Sequence, residues 1–493
     1  MVQKPSAQGG LPVKKATFEL FQRYAWLLCS AAVLLAFLGT RGLNEPDEGR
    51  YAEIAREMAQ SGDWLVPTLN GFEHFQKPPL IYWLTALSIR VFGANEWAAR
   101  LPSALAALGT IWLTYLIARR LCSETMARNA ALILVSSVEF FALARLLTPD
   151  MTLTFWITAA IAAFIHRRHW LFFVAMGLGF LTKGPMAVVV PLSAALAWQI
   201  TARGTPEVRH LPWGRGTLVV LGVGLSWFIM LSIQSPELLS YFWKYELVQR
   251  FASRTHGRSQ PWWFFLPVIT LALLPWTFFL VKPLRTFWHR WQTGTVSPPQ
   301  ALLAGWAAVP FVILTCSGSK LVTYVLPLLP ALAIAIGSSF ASTRRVWKIA
   351  VPAMACWLLA AINVDHFGPY LARQASVKDL AEALEAEANS EDAILFTCGV
   401  RAHGLAFYAE ELVSTTKGDA DIVLPLAPAQ SARVFRNARH CLDTLSTGEL
   451  AYGIVDQERF ASSFKPKGWR ALRTEGDFVL ITNRDSRSLV QTR

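Results

Sequence analysis

The chain is a succession of apolar runs, each close to the length that crosses a bilayer, and every second gap between them is basic. The runs lie at 24–40, 97–118, 128–147, 150–166, 170–182, 184–201, 216–234, 262–281, 299–316, 321–340 and 349–363, against about 30 Å of hydrocarbon to be spanned. No soluble core buries so many. Composition agrees: 53% of the 493 residues are hydrophobic and 16% charged, where soluble chains carry about 25% charged. That excludes disorder, a coiled coil and an ordinary cytosolic fold. A twelfth run, 79–93, is shorter and carries Arg90, and we read it as a helix on the membrane surface. The other gaps then alternate. Lys4, Lys14, Lys15 and Arg23 precede the first span, and the same side receives Arg119/Arg120/Arg128, Arg167/Arg168, Arg203/Arg209/Arg215, Lys282/Arg285/Arg290 and Arg344/Arg345/Lys348. Lys and Arg collect in cytoplasmic turns, so that side faces inward. The same bias accounts for the net charge of +13 without nucleic acid as a partner.

The expected architecture is a polytopic α-helical membrane protein with about 11–13 transmembrane helices. The first run is read as a retained anchor, because the following Leu-Gly-Thr-Arg-Gly offers no small-x-small cleavage site. Residues 1–363 form the membrane domain, with long outer loops at 41–96 and 235–261. After 364 charges return and short β-like runs alternate with helical stretches, so 364–493 reads as a soluble outer-face α/β domain. It holds Cys398 and Cys441. An oxidising exterior permits a bridge between them, and two separate buried thiols fit the sequence as well. No phosphate-binding loop, dinucleotide fingerprint or Cys/His zinc spacing occurs.

Chemistry-bearing residues collect at the outer ends of the spans. Asp47, Arg50 and Tyr51 share one turn at the start of a helix whose Tyr51, Ile54, Ala55 and Met58 form an apolar stripe; Asp47 suits either chemistry or a helix cap. Lys77 precedes Pro78-Pro79, which fix an extended corner and present a point charge for a phosphate. Asp150 opens a span, Lys183 stands in a Gly-Pro break, and Lys320 and Tyr324 are spaced i, i+4. The loop 235–261 adds Arg250, Arg254, His256 and Arg258 before Pro261-Trp262-Trp263, a basic cluster facing outward against the charge bias and suited to an anionic lipid headgroup. Carboxylates and cations around one mouth fit group transfer from a lipid phosphate: the cations neutralise the leaving group and Asp47 or Asp150 serves an acceptor hydroxyl as base.

The ordered motifs Asp47-Glu-Gly-Arg-Tyr-Ala-Glu-Ile-Ala-Arg-Glu-Met, Ser61-Gly-Asp-Trp, Leu69-Asn-Gly, Lys77-Pro-Pro-Leu-Ile-Tyr-Trp, Asn95-Glu-Trp-Ala-Ala-Arg-Leu-Pro-Ser, Thr148-Pro-Asp-Met, Lys183-Gly-Pro and Lys320-Leu-Val-Thr-Tyr carry a resemblance. The chain resembles the bacterial lipid A 4-amino-4-deoxy-L-arabinose transferases and their relatives, in the GT-C class that includes protein O-mannosyltransferases. The resemblance covers most of 20–345; the tail matches only in being a soluble outer-face domain. It implies a multispanning bacterial inner-membrane enzyme that takes a sugar from undecaprenyl phosphate on the periplasmic side and passes it to lipid A or another lipid or glycan. By position, Asp47 and Asp150 match the family's essential acids, Arg50, Tyr51 and Lys77 its loop residues near the donor phosphate, and Tyr324 a residue lining the cavity. The family often has a Glu before Lys-Pro-Pro that, with a His of the second long loop, is associated with a metal. Here Gln76 replaces that Glu while His256 matches the His; a neutral amide is a poor ligand for a divalent ion, which argues against a metal, and no other cofactor is implied. The rival class is a polyprenyl-linked substrate transporter or flippase, which would bury its ionisable residues near the midplane and show two similar halves. Neither is visible in the sequence.

Overall fold

In a computed structural model, residues 24–238, 260–363, 376–387, 393–419, 426–445 and 449–484 are described. The first apolar run forms α1 (Tyr24–Leu35). The long loop folds into α2 (Asp47–Ser61), a hairpin of β1 (Thr68–Leu69) and β2 (Phe72–Glu73), and α3 (Leu80–Phe92). Asn70 and Gly71, both at positive φ, make the hairpin turn, a conformation Asn-Gly adopts at little cost. Then come α4 (Glu96–Leu121), α5 (Glu124–Ser136), α6 (Val138–Ala144), α7 (Pro149–Ile165), α8 (His169–Lys183) and α9 (Met186–Thr201).

Among the described residues, by length and composition, α4, Pro298–Cys316 and Thr343–Ile362 could each cross a membrane, and three bent helix pairs bring the number to six; the other apolar helices, α3 among them, have 10–17 residues. Several of the apolar runs are thus short or bent in the structure. The run 128–147 breaks at Ser137, where α5 and α6 meet at 68°. Neighbouring helices take up the polar groups at that break: Trp276 Nε1 donates to Ser136 Oγ (2.9 Å), Trp357 Nε1 to Ser136 O (2.9 Å) and Val138 N to Leu274 O (3.1 Å). Buried satisfaction of this kind permits a broken helix at membrane depth. The run 262–281 likewise turns by 110° into Thr277–Gln292. That second arm is amphipathic, with exposed Trp288 and Trp291 beside Lys282, Arg285 and Arg290, the composition of a helix lying along a headgroup layer. Exposed Leu218, Ile233, Phe278 and Leu359 give the bundle an apolar exterior, which in water would be an aggregation surface. The chain is a multispanning membrane protein.

Beyond the bundle lies a four-stranded sheet in the order β3-β6-β8-β7, formed by β3 (Ile394–Thr397), β6 (Ala451–Asp456), β7 (Arg470–Glu475) and β8 (Phe478–Thr482); β3 and β6 are parallel and the rest antiparallel. A short parallel pair, β4 (Thr415–Thr416) with β5 (Val434–Phe435), stands beside it. Side chains alternate across the main sheet. Tyr452, Ile454 and Leu480 join one core with Leu380 and Leu405, whereas Ala451, Val455, Val479 and Ile481 join another with Leu442 and Trp469. Both faces are therefore covered.

The long loop is the seat for this unit. Asn70 exchanges hydrogen bonds with the backbone of Val413, Gln430 Nε2 donates to Gly71 O (2.9 Å), and Arg433 donates to Asn70 O (3.1 Å) while lying over the Phe72 ring. Lys378 pairs with Glu96 at the start of α4 (2.8 Å). The 26 residues of α4 then run about 39 Å to the Arg119/Arg120/Arg128 turn. Site candidates and basic turns thus occupy opposite ends of this helix, as the alternation in the sequence requires.

Candidate active site

Helix α2 was expected to be amphipathic, yet Glu48, Glu53, Arg56 and Glu57 are buried along with the apolar stripe. The reason is that other elements cover its polar face: the helix Gly404–Ala409 packs against it, and the hairpin β1–β2 receives Glu57. Glu53 and Arg56 pair at 2.7 Å, while Glu57 accepts from Gly71 N (2.9 Å) and Thr68 Oγ1.

At the start of α2, Asp47 makes no capping bond. It pairs with Arg50 at 2.5 Å and keeps 59% of its side chain exposed, against 13% for Arg50. Arg50 also lies over the Tyr51 ring. One residue on, Glu48 is buried and acts as a joint. It takes two bonds from Arg100 (2.8 and 2.9 Å) and one each from Leu147 N (2.9 Å) and Asn44 N (3.1 Å), with Arg41 at 3.3 Å. Burial pushes the Glu48 carboxyl upward, but Arg100 and Arg41 beside it hold it below the usual carboxylate value.

Asp150 and Lys183 form the second centre. Pro149 starts α7, so Asp150 sits in its first turn, and instead of capping the helix its side chain meets Lys183 Nζ at 2.5 Å. Lys183 ends α8 because Gly184 takes a positive φ that admits only glycine readily. Its amine stands 4.9 Å from the centre of the Tyr324 ring. Tyr51 links the two centres: the charges of Arg50, Asp47, Lys183 and Asp150 all act on its phenol, whose pKa burial raises. Asp47, Arg50, Tyr51, Asp150, Lys183 and Tyr324, from four separate segments, therefore share one neighbourhood.

The other candidates are placed as follows. Lys320 and Tyr324 do not share a helical face; Lys320 precedes the 3₁₀ helix Val322–Leu328 and is buried, donating to Ser317 O at 2.7 Å. Lys77 and Gln76 are half-buried in the turn between β2 and α3. Arg250, Arg254, His256 and Arg258 lie outside the described residues. Among the described residues no three His, Cys, Asp or Glu side chains converge, and Gln76 offers a neutral amide, a poor ligand for a divalent ion.

A residue overlooked in the sequence stands just before the site. Glu45 is buried and accepts from His403 N (3.0 Å) and Gly404 N (2.6 Å), so the turn carrying Asp47 hangs on the C-terminal unit. Its only sequence signal is a carboxylate inside the Asn-Glu-Pro-Asp string, where an exposed loop acid is the ordinary reading. Burial raises its pKa to about 8, against the opposing effect of the two amides. With the folded value above the unfolded one, the folded chain holds the extra proton between about pH 4.5 and 8. Stability from this group is thus complete below pH 4.5 and is lost as pH rises toward 8, by an amount on the order of a few kcal/mol. Thermal unfolding of Glu45→Gln across that range is expected to show a shallower decline than wild type; parallel curves would refute the assignment.

The architecture matches ArnT from Cupriavidus metallidurans bound to undecaprenyl phosphate, with a TM-score of 0.79 at 24% identity over 96% of this chain and 99% of that one. It also matches, at a TM-score of 0.50 and 13% identity, an Archaeoglobus fulgidus oligosaccharyltransferase tethered to an acceptor peptide, over 92% of this chain and 71% of that one. This is the GT-C fold. Residues 76–229 match the dolichyl-phosphate-mannose-protein mannosyltransferase family. In sequence the chain is similar to the undecaprenyl phosphate-α-4-amino-4-deoxy-L-arabinose arabinosyl transferases of Pseudomonas paraeruginosa, at 34% identity over 340 residues, and Edwardsiella ictaluri, at 35% over 310. The matches take in 66% and 60% of this chain and 61% and 55% of those relatives. The resemblance carried by the motifs therefore holds, while the chain spans about three fifths of the length of the curated relatives it matches.

Proposed function

We propose that the chain is a membrane glycosyltransferase that moves a sugar, by similarity 4-amino-4-deoxy-L-arabinose, from undecaprenyl phosphate to lipid A or another lipid or glycan acceptor. In this reading 1–363 is the membrane domain, 364–493 a soluble domain, and both the soluble domain and the site face the periplasm. The observation that carries it is the buried Asp150–Lys183 pair and the exposed Asp47–Arg50 pair, whose charges all reach Tyr51.

The two carboxylates divide the work. Asp150 is committed to Lys183, so it fixes the amine that neutralises the donor phosphate, with Arg50 and Lys77 adding charge from the loop. Asp47 is the accessible carboxylate and takes the acceptor's proton. The acceptor oxygen bonds to the anomeric carbon as the bond from that carbon to the phosphate oxygen breaks. Its electron pair leaves on undecaprenyl phosphate, with inversion at the sugar. The bond to the leaving phosphate needs stabilisation of charge more than an acid.

Purified protein given a panel of undecaprenyl phosphate sugars and membrane lipid acceptors is expected to transfer one of them, with or without chelator. Asp47→Asn is expected to lower the rate by roughly 10²–10⁴-fold. Loss of transfer on chelation would restore the metal, and polyprenyl phosphate crossing proteoliposomes with no transfer from any donor would replace the enzyme with a flippase.

A further inference from the structure

We propose that Cys398 and Cys441 are joined by a disulfide in the mature protein, bracing the segment of the soluble domain on which the Asp47 turn rests. This builds on the reading that the domain faces the oxidising side of the membrane. Of the six cysteines, Cys29, Cys316 and Cys356 lie in apolar helices and Cys122 closes α4. The remaining two belong to the soluble domain, and both are fully buried.

The fold brings them together from distant positions. Cys398 follows β3, and Cys441 lies in the helix Ala438–Leu445. The Cys398 Sγ reaches the carbonyl of Ala438 at 3.9 Å, one helical turn before Cys441. A hydrogen bond donated by Cys441 to the Cys398 sulfur, with burial, raises the Cys441 thiol's pKa. Around them stand Phe396, Phe435, Phe464 and Trp469. A thiol pair makes only a weak hydrogen bond, so little in this apolar surround depends on two S–H groups.

The reaction is thiol–disulfide exchange with a disulfide-bearing oxidoreductase. One cysteine attacks as thiolate and forms a mixed disulfide. The second displaces the partner's sulfur, so the two thiols lose two protons and two electrons and the partner departs as a dithiol. The bond would anchor the start of the connection 398–404. Cys398 O already accepts from Arg459 Nη1 (2.9 Å), and the far end of the connection supplies the His403 and Gly404 amides that hold Glu45.

Membranes trapped in acid, denatured and alkylated are expected to show four reactive cysteines per chain, the six in the sequence less this pair, rising to six after reduction. A peptide joining Cys398 to Cys441 should appear in the unreduced digest. Six reactive thiols before reduction overturn the proposal. In that event, mild oxidation of the purified protein with oxidised glutathione separates the causes: a 398–441 link formed then means that the pairing is sound and the domain faces the reducing side, whereas no link means that the pairing itself is wrong. For the brace, Cys398→Ala/Cys441→Ala is expected to speed hydrogen exchange at the His403 and Gly404 amides by about tenfold or more. Unchanged exchange there overturns that part.

Discussion

Lys183→Met is expected to abolish sugar transfer and to destabilise the protein together, and a second variant separates the two effects. Asp150 keeps 8% of its side chain exposed and Lys183 15%. Removing the amine strands a carboxylate away from water, at a cost of about 3–5 kcal/mol. Asp150→Asn strands the amine instead. Replacing both, as Asp150→Leu/Lys183→Met, removes both charges and is expected to recover most of the lost stability, since apolar replacements of a buried pair are often neutral. Transfer should stay lost, by roughly 10²–10³-fold or more, because the cation opposite the developing phosphate charge is gone. Thermal unfolding in detergent, alongside transfer rates, makes the comparison. If the double variant transfers at the wild-type rate, the pair is architectural and the site lies elsewhere.

That pair marks where sequence reading stops. Asp150 and Lys183 were assignable to the same side of the membrane, because each stands at the end of an apolar run opposite a basic turn. That they touch depends on how α7 packs against α8 and on where Gly184 stops the helix, which no periodicity encodes. The apolar runs were legible in position, since hydropathy acts residue by residue. Their breaks were not: Ser137 looks like any small residue in an apolar run, and its kink exists because Trp276 and Trp357 arrive from more than a hundred residues away to satisfy it. Lys320 was misjudged for a related reason. Its spacing to Tyr324 suits a helix, but the helix begins after it. The burial of α2's charged face and the attachment of Glu45 to His403 and Gly404 were invisible because the covering unit lies some 350 residues downstream. Asp47, Arg50 and Tyr51 were legible because their relation is local, within one turn of one helix.

Arg100→Leu is expected to be among the most damaging single changes outside the reacting groups. Every N–H of the Arg100 guanidinium is used: two bind Glu48, and three reach the carbonyls of Leu38 (3.0 Å), Arg41 (2.7 Å) and Gly42 (2.8 Å). The substitution leaves a buried carboxylate and three carbonyls short of donors, costing about 3–5 kcal/mol for the broken pair alone against a total margin of about 5–15 kcal/mol. Lysine cannot stand in, because a single ammonium does not reproduce a planar fork with five donors. The consequence for activity follows from what Glu48 touches. It neighbours Asp47 in the chain and accepts from Leu147 N, three residues before Asp150, so this clamp sets the distance between the two carboxylates. Arg100→Lys is therefore expected to lose transfer even where it still folds, and Glu48→Leu/Arg100→Leu to regain stability without regaining transfer. Unfolding midpoints and transfer rates for the three variants test this. Wild-type transfer by the double variant would show that α2 and α7 hold their spacing without the clamp.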